Sequence, residues 1–247
     1  MMLVLSGEGP SDLGRCRTPA GLCSGGDFAH GPLAMLLDQL LEPTLGYRPI
    51  QSSADCVCFV PKAELLQRQR QRKARGGISL VGKKREQETG YFFTNAWALG
   101  EIAIQEELAR NDRGIAVFHR DSDPTGSTHR SEWGAKFKSI EDGFLRAGYD
   151  RGVPMLPRPI SEAWLLCIAK SYPPNAADIE DEAGNDNANN PLKDQLANAL
   201  GTPDPTAEDL ADWMDNAVVD ATRLTAMPSF ARFHTALQDA ARRAVTP

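Results

Sequence analysis

Two acidic turns carry the residue types that could do chemistry in this sequence. Glu8 follows an apolar run at residues 2–5, and Asp121 and Asp123 follow a second apolar run at residues 115–118. Short apolar runs that end in turn residues are typical of buried strands. Because functional groups collect at the carboxyl ends of strands in open α/β sheets, we expect the three carboxylates to converge on one cleft. Hard divalent cations such as Mg²⁺ prefer carboxylate oxygens, so the pattern predicts a metal site.

Each turn also has a purely structural interpretation. Gly, Pro, Ser and Asp at residues 7–12, and Asp, Ser, Pro and Thr at residues 121–125, are good turn and helix-cap residues. The occurrence of both turns at strand ends of one core favours the functional interpretation.

Strands that alternate with helices must position these turns. Further strands are predicted at residues 55–60 and 153–156, and helices at residues 33–41, 62–75, 94–111, 131–145 and 161–168. A glycine-rich loop is predicted to follow the first strand as far as about Gly26. This alternation predicts an α/β fold with a mainly parallel sheet flanked by helices.

The C-terminal part of the sequence has a different composition. Residues 171–190 are rich in Pro, Asn, Asp, Glu and Ala, which indicates a loop or a partly disordered insertion. Helical patterns then return near residues 191–200, 206–220 and 228–244. We therefore predict a catalytic core over residues 1–170 and, over residues 171–247, an acidic loop with a helical C-terminal extension that packs on the core.

Composition limits the class of protein. The chain has 247 residues, of which 41% are hydrophobic, and it lacks an apolar run of the roughly 18 residues that a spanning helix needs. The apolar N-terminus has no basic flank, so it is not expected to be a secretory signal. Five cysteines, an odd number, fit a reduced protein. We therefore expect a cytoplasmic protein without a membrane partner.

The net charge of −6 is unevenly distributed. Residues 62–88 contain nine Lys or Arg and three Glu, a local charge of +6, whereas residues 178–220 contain twelve acidic residues and one Lys, a local charge of −11. A basic block in an acidic protein indicates a local anionic partner such as nucleic acid, although a solvated helix face has the same pattern. The candidate phosphate-binding residues are Arg68, Arg70, Arg72, Lys73, Arg75, Lys83, Lys84 and Arg85.

The order of the acidic turns resembles the Toprim family. The segment LVLSGEGPSD at residues 3–12 resembles the first Toprim motif, and VFHRDSD at residues 117–123 resembles the second. The sequence is most similar to small Toprim-like proteins related to the nucleases of the OLD (overcoming lysogenization defect) type. In these, a Glu-x-Trp-x-Leu pattern follows the next strand, and EAWLL at residues 162–166 fits it. Short patterns at residues 191–193 and 228–233 add a looser likeness, and the basic insertion at about residues 62–90 lengthens the spacing between the two motifs.

The resemblance implies a metal-dependent nuclease acting on DNA or RNA, such as the effector of a phage-defence or toxin system. In that scheme Asp121 and Asp123 hold one or two Mg²⁺ or Mn²⁺ ions, with Glu162 as a ligand of the second ion. Glu8 either binds metal or acts as general acid or base. The alternative is a non-catalytic Toprim-like module that binds a separate ATPase, since Gly82-Lys83-Lys84 lacks the spacing of a nucleotide-binding loop.

Histidine and cysteine residues offer weaker alternatives. Cys16, Cys23 and His30 recur at seven-residue intervals, and Cys56 and Cys58 share a strand face, but the paired spacing of usual zinc sites is absent. His119 and His129 flank the second acidic turn. They are candidates either for proton transfer or for a supporting role behind the carboxylates.

Overall fold

The computed structural model describes residues 1–18, 21–74, 89–122 and 130–246; the side chains of residues 73, 74, 130 and 131 are outside the description. The described strands are β1 (Met2–Ser6), β2 (Gly14–Cys16), β3 (Cys23–Ser24), β4 (Phe28–His30), β5 (Val57–Phe59), β6 (Gly114–His119) and β7 (Gly152–Met155). The longer helices are α1 (Pro32–Leu45), α3 (Lys62–Ala74), α4 (Gly90–Arg110), α5 (Arg130–Ala147), α6 (Glu162–Ala169), α8 (Leu192–Leu200), α9 (Ala207–Asn216) and α11 (Pro228–Val245). Three four-residue helices are α2 (Pro49–Ser52), α7 (Ala176–Ile179) and α10 (Ala221–Leu224).

Five strands form the central sheet in the order β3-β5-β1-β6-β7. β1 pairs in parallel with both β5 and β6, and β6 pairs in parallel with β7, while the short β3 is antiparallel at one edge. The prediction of an α/β fold with a mainly parallel sheet flanked by helices is confirmed. Because β1, β6 and β7 run the same way side by side, the loops that follow them leave the same edge of the sheet.

Side chains that alternate along the strands fill two hydrophobic cores, one on each face of the sheet. In β1, Leu3 and Leu5 pack with α1, α6 and α11, whereas Met2 and Val4 pack with α4 and α5. The result is three layers, with the sheet between two sets of helices.

The C-terminal helices share the first of these cores. Trp164 of α6 is fully buried, stacks on Phe233 at 5.2 Å between ring centroids and meets Phe230 edge-on at 5.3 Å. Its indole Nε1 donates a hydrogen bond to Ser229 Oγ (2.8 Å), and Ser229 also donates to the buried carboxylate of Glu180. The Trp of the EAWLL segment and the aromatic residues at 228–233 therefore hold α6 and α11 together.

Two parts of the chain are more ordered than their composition predicts. The predicted glycine-rich loop contains, within residues 14–30, the β2–β4 hairpin and the edge strand β3. Residues 171–190 include α7 and the buried residues Ile179 and Glu180, and Arg158 fixes Asp181 through an ion pair of 2.6 Å. Hydrogen bonds between distant segments, which local composition does not encode, order both regions.

None of the described helices combines the length and the apolar character needed to cross a membrane.

Candidate functional site

Three carboxylates from three segments meet at the carboxyl edge of the sheet. Asp12 lies in the loop after β1, Asp121 lies two residues after β6, and Glu162 begins α6 beyond the loop that follows β7. All three line one pocket of about 450 Å³. Asp121 and Glu162 are two of the predicted site residues, whereas Asp12 belongs to the first acidic motif but is not among the predicted ligands.

Asp12 is held by a close approach of the backbone to the start of α1. Its carbonyl oxygen accepts a hydrogen bond from the Leu33 amide (3.0 Å). A Cβ atom at Gly31 would lie 2.2 Å from that same oxygen, so only glycine allows this approach. The Asp12 backbone is therefore fixed by the helix that packs behind β1.

Asp121 is held by the loop that joins β7 to α6. The Arg120 amide donates to the carbonyl of Met155 (3.1 Å), which extends the pairing of β6 with β7 beyond the strand ends. The Ser122 amide lies 3.2 Å from the carbonyl oxygens of both Pro157 and Pro159. These hydrogen bonds on both sides of Asp121 fix its backbone against the loop that leads to Glu162.

Ser161 lies at the centre of the three carboxylates. Its amide donates to Asp121 Oδ1 (2.9 Å), and its hydroxyl lies 2.7 Å from Asp12 Oδ1 and 3.2 Å from Glu162 Oε2. The residue is buried. Ser161 thus touches every acidic side chain of the cluster.

The number of available protons determines how this cluster is bonded. A hydroxyl has one proton to donate, so two ionised carboxylates cannot both accept from Ser161. Burial raises the pKa of Glu162 to about 7, and the negative charges of Asp121 and Asp12 add to the shift. Near neutral pH, a protonated Glu162 can therefore donate to Ser161 while Ser161 donates to Asp12.

His119, at the end of β6, is a buried polar group behind this cluster. Its Nε2 lies 3.7 Å from Asp121 Oδ1, too far for a hydrogen bond, and neither ring nitrogen has a hydrogen-bond partner among the described residues. Burial by itself lowers the pKa of His119, but the nearby Asp121, Asp12 and Glu8 outweigh burial and raise it. The carboxylates therefore favour the protonated form of the imidazole. This environment favours the supporting role for His119; His129 lies outside the described residues.

A second wall of the pocket comes from the acidic C-terminal segment. Residues 184–187 and Lys193 line the pocket together with the carboxylates, and Ile160, next to Ser161, adds an apolar residue. Lys193 Nζ is 3.1 Å from Asp186 Oδ1, and the Asn187 amide donates to Asn185 Oδ1 (2.5 Å). Burial lowers the pKa of Lys193, whereas Asp186 and the more distant Glu162 and Asp12 raise it, and the net change is upward.

Glu8 has a different environment. Its Oε1 forms an ion pair of 2.8 Å with Arg120, whose guanidinium also stacks on Tyr91 at 4.3 Å from the ring centroid. Glu8 lines a second cavity of about 380 Å³ with Lys62 and Arg15, and it is not among the described residues that line the pocket of Asp121. Among the described residues, Glu8 and Asp121 therefore line different cavities at the same edge of the sheet.

The predicted metal ligands are brought together in part. Asp123 lies outside the described residues. Within the described ranges, no three His, Cys, Asp or Glu side chains are placed so that they could hold one ion as they stand. The donors that converge, Asp12, Asp121, Glu162 and the Ser161 hydroxyl, are all hard oxygen groups of the kind that Mg²⁺ and Mn²⁺ bind. A cation would also offset the like charges of Asp121 and Asp12, which add to the effect of burial on the pKa of Glu162, so the donor set fits such an ion once the side chains turn toward it.

The basic helix α3 uses some of its cations internally. The Arg72 guanidinium lies 3.8 Å from the ring centroid of Trp97, with its Nε 3.4 Å from Glu101 Oε2. Arg68 donates a hydrogen bond to Gln105, whereas Arg70 is exposed. Of the other predicted phosphate-binding residues, Lys73 has an undescribed side chain, and Arg75, Lys83, Lys84 and Arg85 lie outside the described residues.

The cysteines do not support a zinc cluster in the described part of the chain. Cys16 and Cys23 form a disulfide between β2 and β3, so they offer no thiolate to a metal, and the prediction of fully reduced cysteines is wrong for this pair. Burial raises the pKa of both Cys56 and Cys58 to about 12, which keeps these thiols protonated and unreactive.

Sequence reasoning missed Asp12 and Ser161. Asp12 ends the first acidic motif, and Ser161 immediately precedes Glu162, so proximity to predicted site residues was the available signal. Their hydrogen bond joins residues 149 positions apart, and only the parallel order of β1, β6 and β7 brings them together.

No protein-family model, curated protein or solved structure matches this chain. Its function must therefore be inferred from the chemistry of the pocket.

Proposed function

We propose that the protein is a metal-dependent phosphodiester hydrolase, a nuclease acting on DNA or RNA, with its active site at Asp12, Asp121 and Glu162. The observation that carries this proposal is the convergence of three carboxylates on Ser161 at the carboxyl edge of a parallel sheet. Burial, aided by the like charges of Asp121 and Asp12, raises the pKa of Glu162 to about 7, and carboxyl groups perturbed in this way are concentrated at functional sites.

In this proposal the chain's own residues bind and orient. Asp12, Asp121 and Glu162 would hold one or two Mg²⁺ or Mn²⁺ ions, together with Asp123, which lies two positions after Asp121 in the sequence. When bound, such an ion lowers the pKa of a water molecule and stabilises the charge of the leaving oxygen. Ser161 keeps the carboxylates in place through its amide and hydroxyl, and His119 offsets part of their repulsion from behind.

Glu8 has the role least supported by its surroundings. Its ion pair with Arg120 fits a residue that positions the loop after β1 more closely than a metal ligand. The general acid or base role remains part of the proposal, since Glu8 and Asp121 follow neighbouring strands.

The basic segment is proposed to bind the phosphate backbone. Arg70 is exposed on α3 and the adjoining residues 75–85 carry further cations. Lys and Arg that neutralise phosphates bind nucleic acid independently of its sequence. A role as the effector of a phage-defence or toxin system belongs to the same proposal.

The second candidate is a non-catalytic Toprim-like module that acts as the partner of a separate ATPase. The observation that favours it is the absence, among described residues, of three side chains already placed to hold one ion. In this case the acidic C-terminal surface, rather than the pocket, would be the functional face.

The deciding experiment is a nuclease assay with matched glutamate variants. Purified protein is incubated with single- and double-stranded DNA and RNA in Mg²⁺, in Mn²⁺ and in EDTA. We expect metal-dependent cleavage that Glu162→Gln removes and that Glu42→Gln, at an exposed site on α1 away from the pocket, leaves intact. Absence of cleavage in every metal and substrate, with the protein folded, would reject the nuclease and favour the module.

A further inference from the structure

The pocket has two chemically different sides. The side formed by the sheet edge carries three carboxylates and the apolar Ile160, and a second wall, formed by residues 184–187 and Lys193, adds Asn185, Asn187 and an ammonium group to the lining. A site for hydrated cations alone would not need the second side. Neutral amides, a cation and an apolar surface are instead the groups that fix the polar and flat parts of a small ligand.

Contacts with neighbouring segments fix the wall formed by residues 184–187 and Lys193. Arg158 pairs with Asp181 at 2.6 Å, and Gln195 Nε2 donates to Glu182 Oε2 (2.5 Å). The backbone of residues 184–187 is therefore anchored on its N-terminal side, and Lys193 stands at the first turn of α8. Because this wall is anchored, the space that the pocket offers to a ligand is limited.

The volume of the pocket limits the class of ligand that can bind. About 450 Å³ lies within the roughly 300–1,000 Å³ of pockets that hold one small molecule. A paired base is stacked within the duplex, and enzymes that act on a nucleotide in a pocket take it out of the stack or use single strands.

The charged residues of the lining determine where the phosphate of a ligand would bind. Among the described lining residues, Lys193 is the one cation beside four carboxylates, those of Asp12, Asp121, Glu162 and Asp186, so we expect a phosphate to bind only together with a divalent ion. The buried His119 lies beneath Asp121, and its ring nitrogens have no hydrogen-bond partner among the described residues, so the floor of the pocket contains a polar group that the fold leaves unsatisfied.

We infer that the pocket binds one unpaired nucleotide, with its phosphate on the cation-loaded carboxylates and Lys193, and its sugar and base against Asn185, Asn187 and Ile160. This inference rests on the proposed nuclease function and adds the substrate class: single-stranded nucleic acid or an unpaired strand end.

The test measures binding of 5′-AMP in saturating Ca²⁺ by calorimetry, with binding of Ca²⁺ followed separately as a rise in the melting temperature. Lys193→Gln is expected to weaken 5′-AMP binding about tenfold and Asn187→Ala about fivefold, as expected for a charged and a neutral hydrogen bond. Asn189→Ala, exposed in the same segment and not lining the pocket, is the matched control and is expected to stay within about twofold of the parent. Melting temperatures of all three variants verify that they fold.

A cleavage assay compares a single-stranded oligonucleotide with a duplex of the same sequence closed by a hairpin at each end. We expect cleavage of the single strand to be at least about tenfold faster, because a paired nucleotide must first leave the stack. Equal cleavage of the closed duplex, or Ca²⁺ binding without 5′-AMP binding, would overturn the one-nucleotide pocket while leaving the nuclease proposal standing. If Ca²⁺ fails to bind and no substrate is cleaved, both proposals fall together.

Discussion

Glu8 and Asp121 follow neighbouring parallel strands, yet their carboxylates have opposite electrostatic environments. Glu8 is paired with Arg120, which itself packs on Tyr91, so its charge is neutralised within the protein. Asp121 shares its pocket with Asp12 and Glu162, and among the described residues only a backbone amide and the offset His119 compensate its charge. Position at a strand end therefore does not by itself make a carboxylate a metal ligand. What distinguishes the two is that Glu8 forms a close ion pair with an arginine, whereas the basic group nearest to Asp121 among the described residues, His119, lies 3.7 Å away.

The largest effect is expected when the charge of Asp121, which lacks an arginine partner among the described residues, is removed. Asp121→Asn keeps an oxygen for the Ser161 amide but loses the carboxylate, so we expect cleavage in Mg²⁺ or Mn²⁺ to fall by more than about 100-fold, the upper range for losing groups that merely support a metal ligand. The melting temperature in EDTA should stay the same or rise, because one of three like charges is gone.

The control for this change is Asp178→Asn, at an exposed position on α7. It should cleave as the parent does. If Asp121→Asn cuts at the parental rate per folded molecule, Asp121 belongs to a structural turn, and its difference from Glu8 has no bearing on catalysis.

Two neutralising substitutions test whether Asp12 and Glu8 differ in their contribution to metal binding. We expect Asp12→Asn to weaken Mn²⁺ binding about tenfold or more, whereas Glu8→Gln leaves it within about twofold because Arg120 already occupies the Glu8 carboxylate. Calorimetric titration of Mn²⁺ measures both. A loss of affinity in Glu8→Gln equal to that in Asp12→Asn would return Glu8 to the set of metal ligands.

The pH dependence of stability tests the environment of Glu162 in the carboxylate cluster, and it needs no substrate. Burial, with help from Asp121 and Asp12, raises the pKa of Glu162 from 4.5 to about 7. A raised pKa in the folded state means that the protonated form stabilises the fold, so this stability is fully present below about pH 4.5 and is lost as the pH rises through 7. Glu162→Gln keeps a neutral side chain at every pH.

We therefore expect Glu162→Gln to match the parent near pH 4 in EDTA and to exceed its free energy of unfolding by on the order of 2 kcal/mol at about pH 8, seen as a higher melting temperature. Saturating Mn²⁺ should reverse the order, because only the parent gains from the cation. A constant difference between the two proteins across this pH range would mean that Glu162 is ionised throughout.

Local patterns predicted the elements of the fold but not the hydrogen bonds that define the site. Apolar runs and helical periodicity located β1, β6, α1 and α4 to within a few residues, because burial on two faces leaves a strong signal in composition. The cluster on Ser161 could not be predicted in this way. Its hydrogen bonds span 40 residues to Asp121 and 149 to Asp12, and they depend on strand order and on the path of the β7–α6 loop.

The basic run at residues 62–88 also shows what a local pattern cannot predict, namely which of its cations are exposed. Arg70 and Arg72 are equivalent in a charge count, but α3 turns Arg72 onto the Trp97 ring and leaves Arg70 exposed. Charge patterning identifies the run, whereas the helix against which it packs decides which cations are accessible to a phosphate. We therefore expect Arg72 to stabilise the packing of α3 on α4 rather than to bind nucleic acid.

The smallest expected effects separate these two arginines. Arg70→Glu should lower nucleic-acid affinity and reduce the salt dependence of binding by about 0.9 for each phosphate that is no longer neutralised on duplex DNA, with an unchanged melting temperature. Arg72→Glu should instead lower the melting temperature, because it removes a cation–π interaction of roughly 0.5–2 kcal/mol and places a second carboxylate beside Glu101. Fluorescence anisotropy at several salt concentrations and thermal unfolding measure the two effects. If Arg70→Glu changes neither the affinity nor its salt slope, α3 is a solvated face, and the difference between Arg70 and Arg72 is one of stability alone.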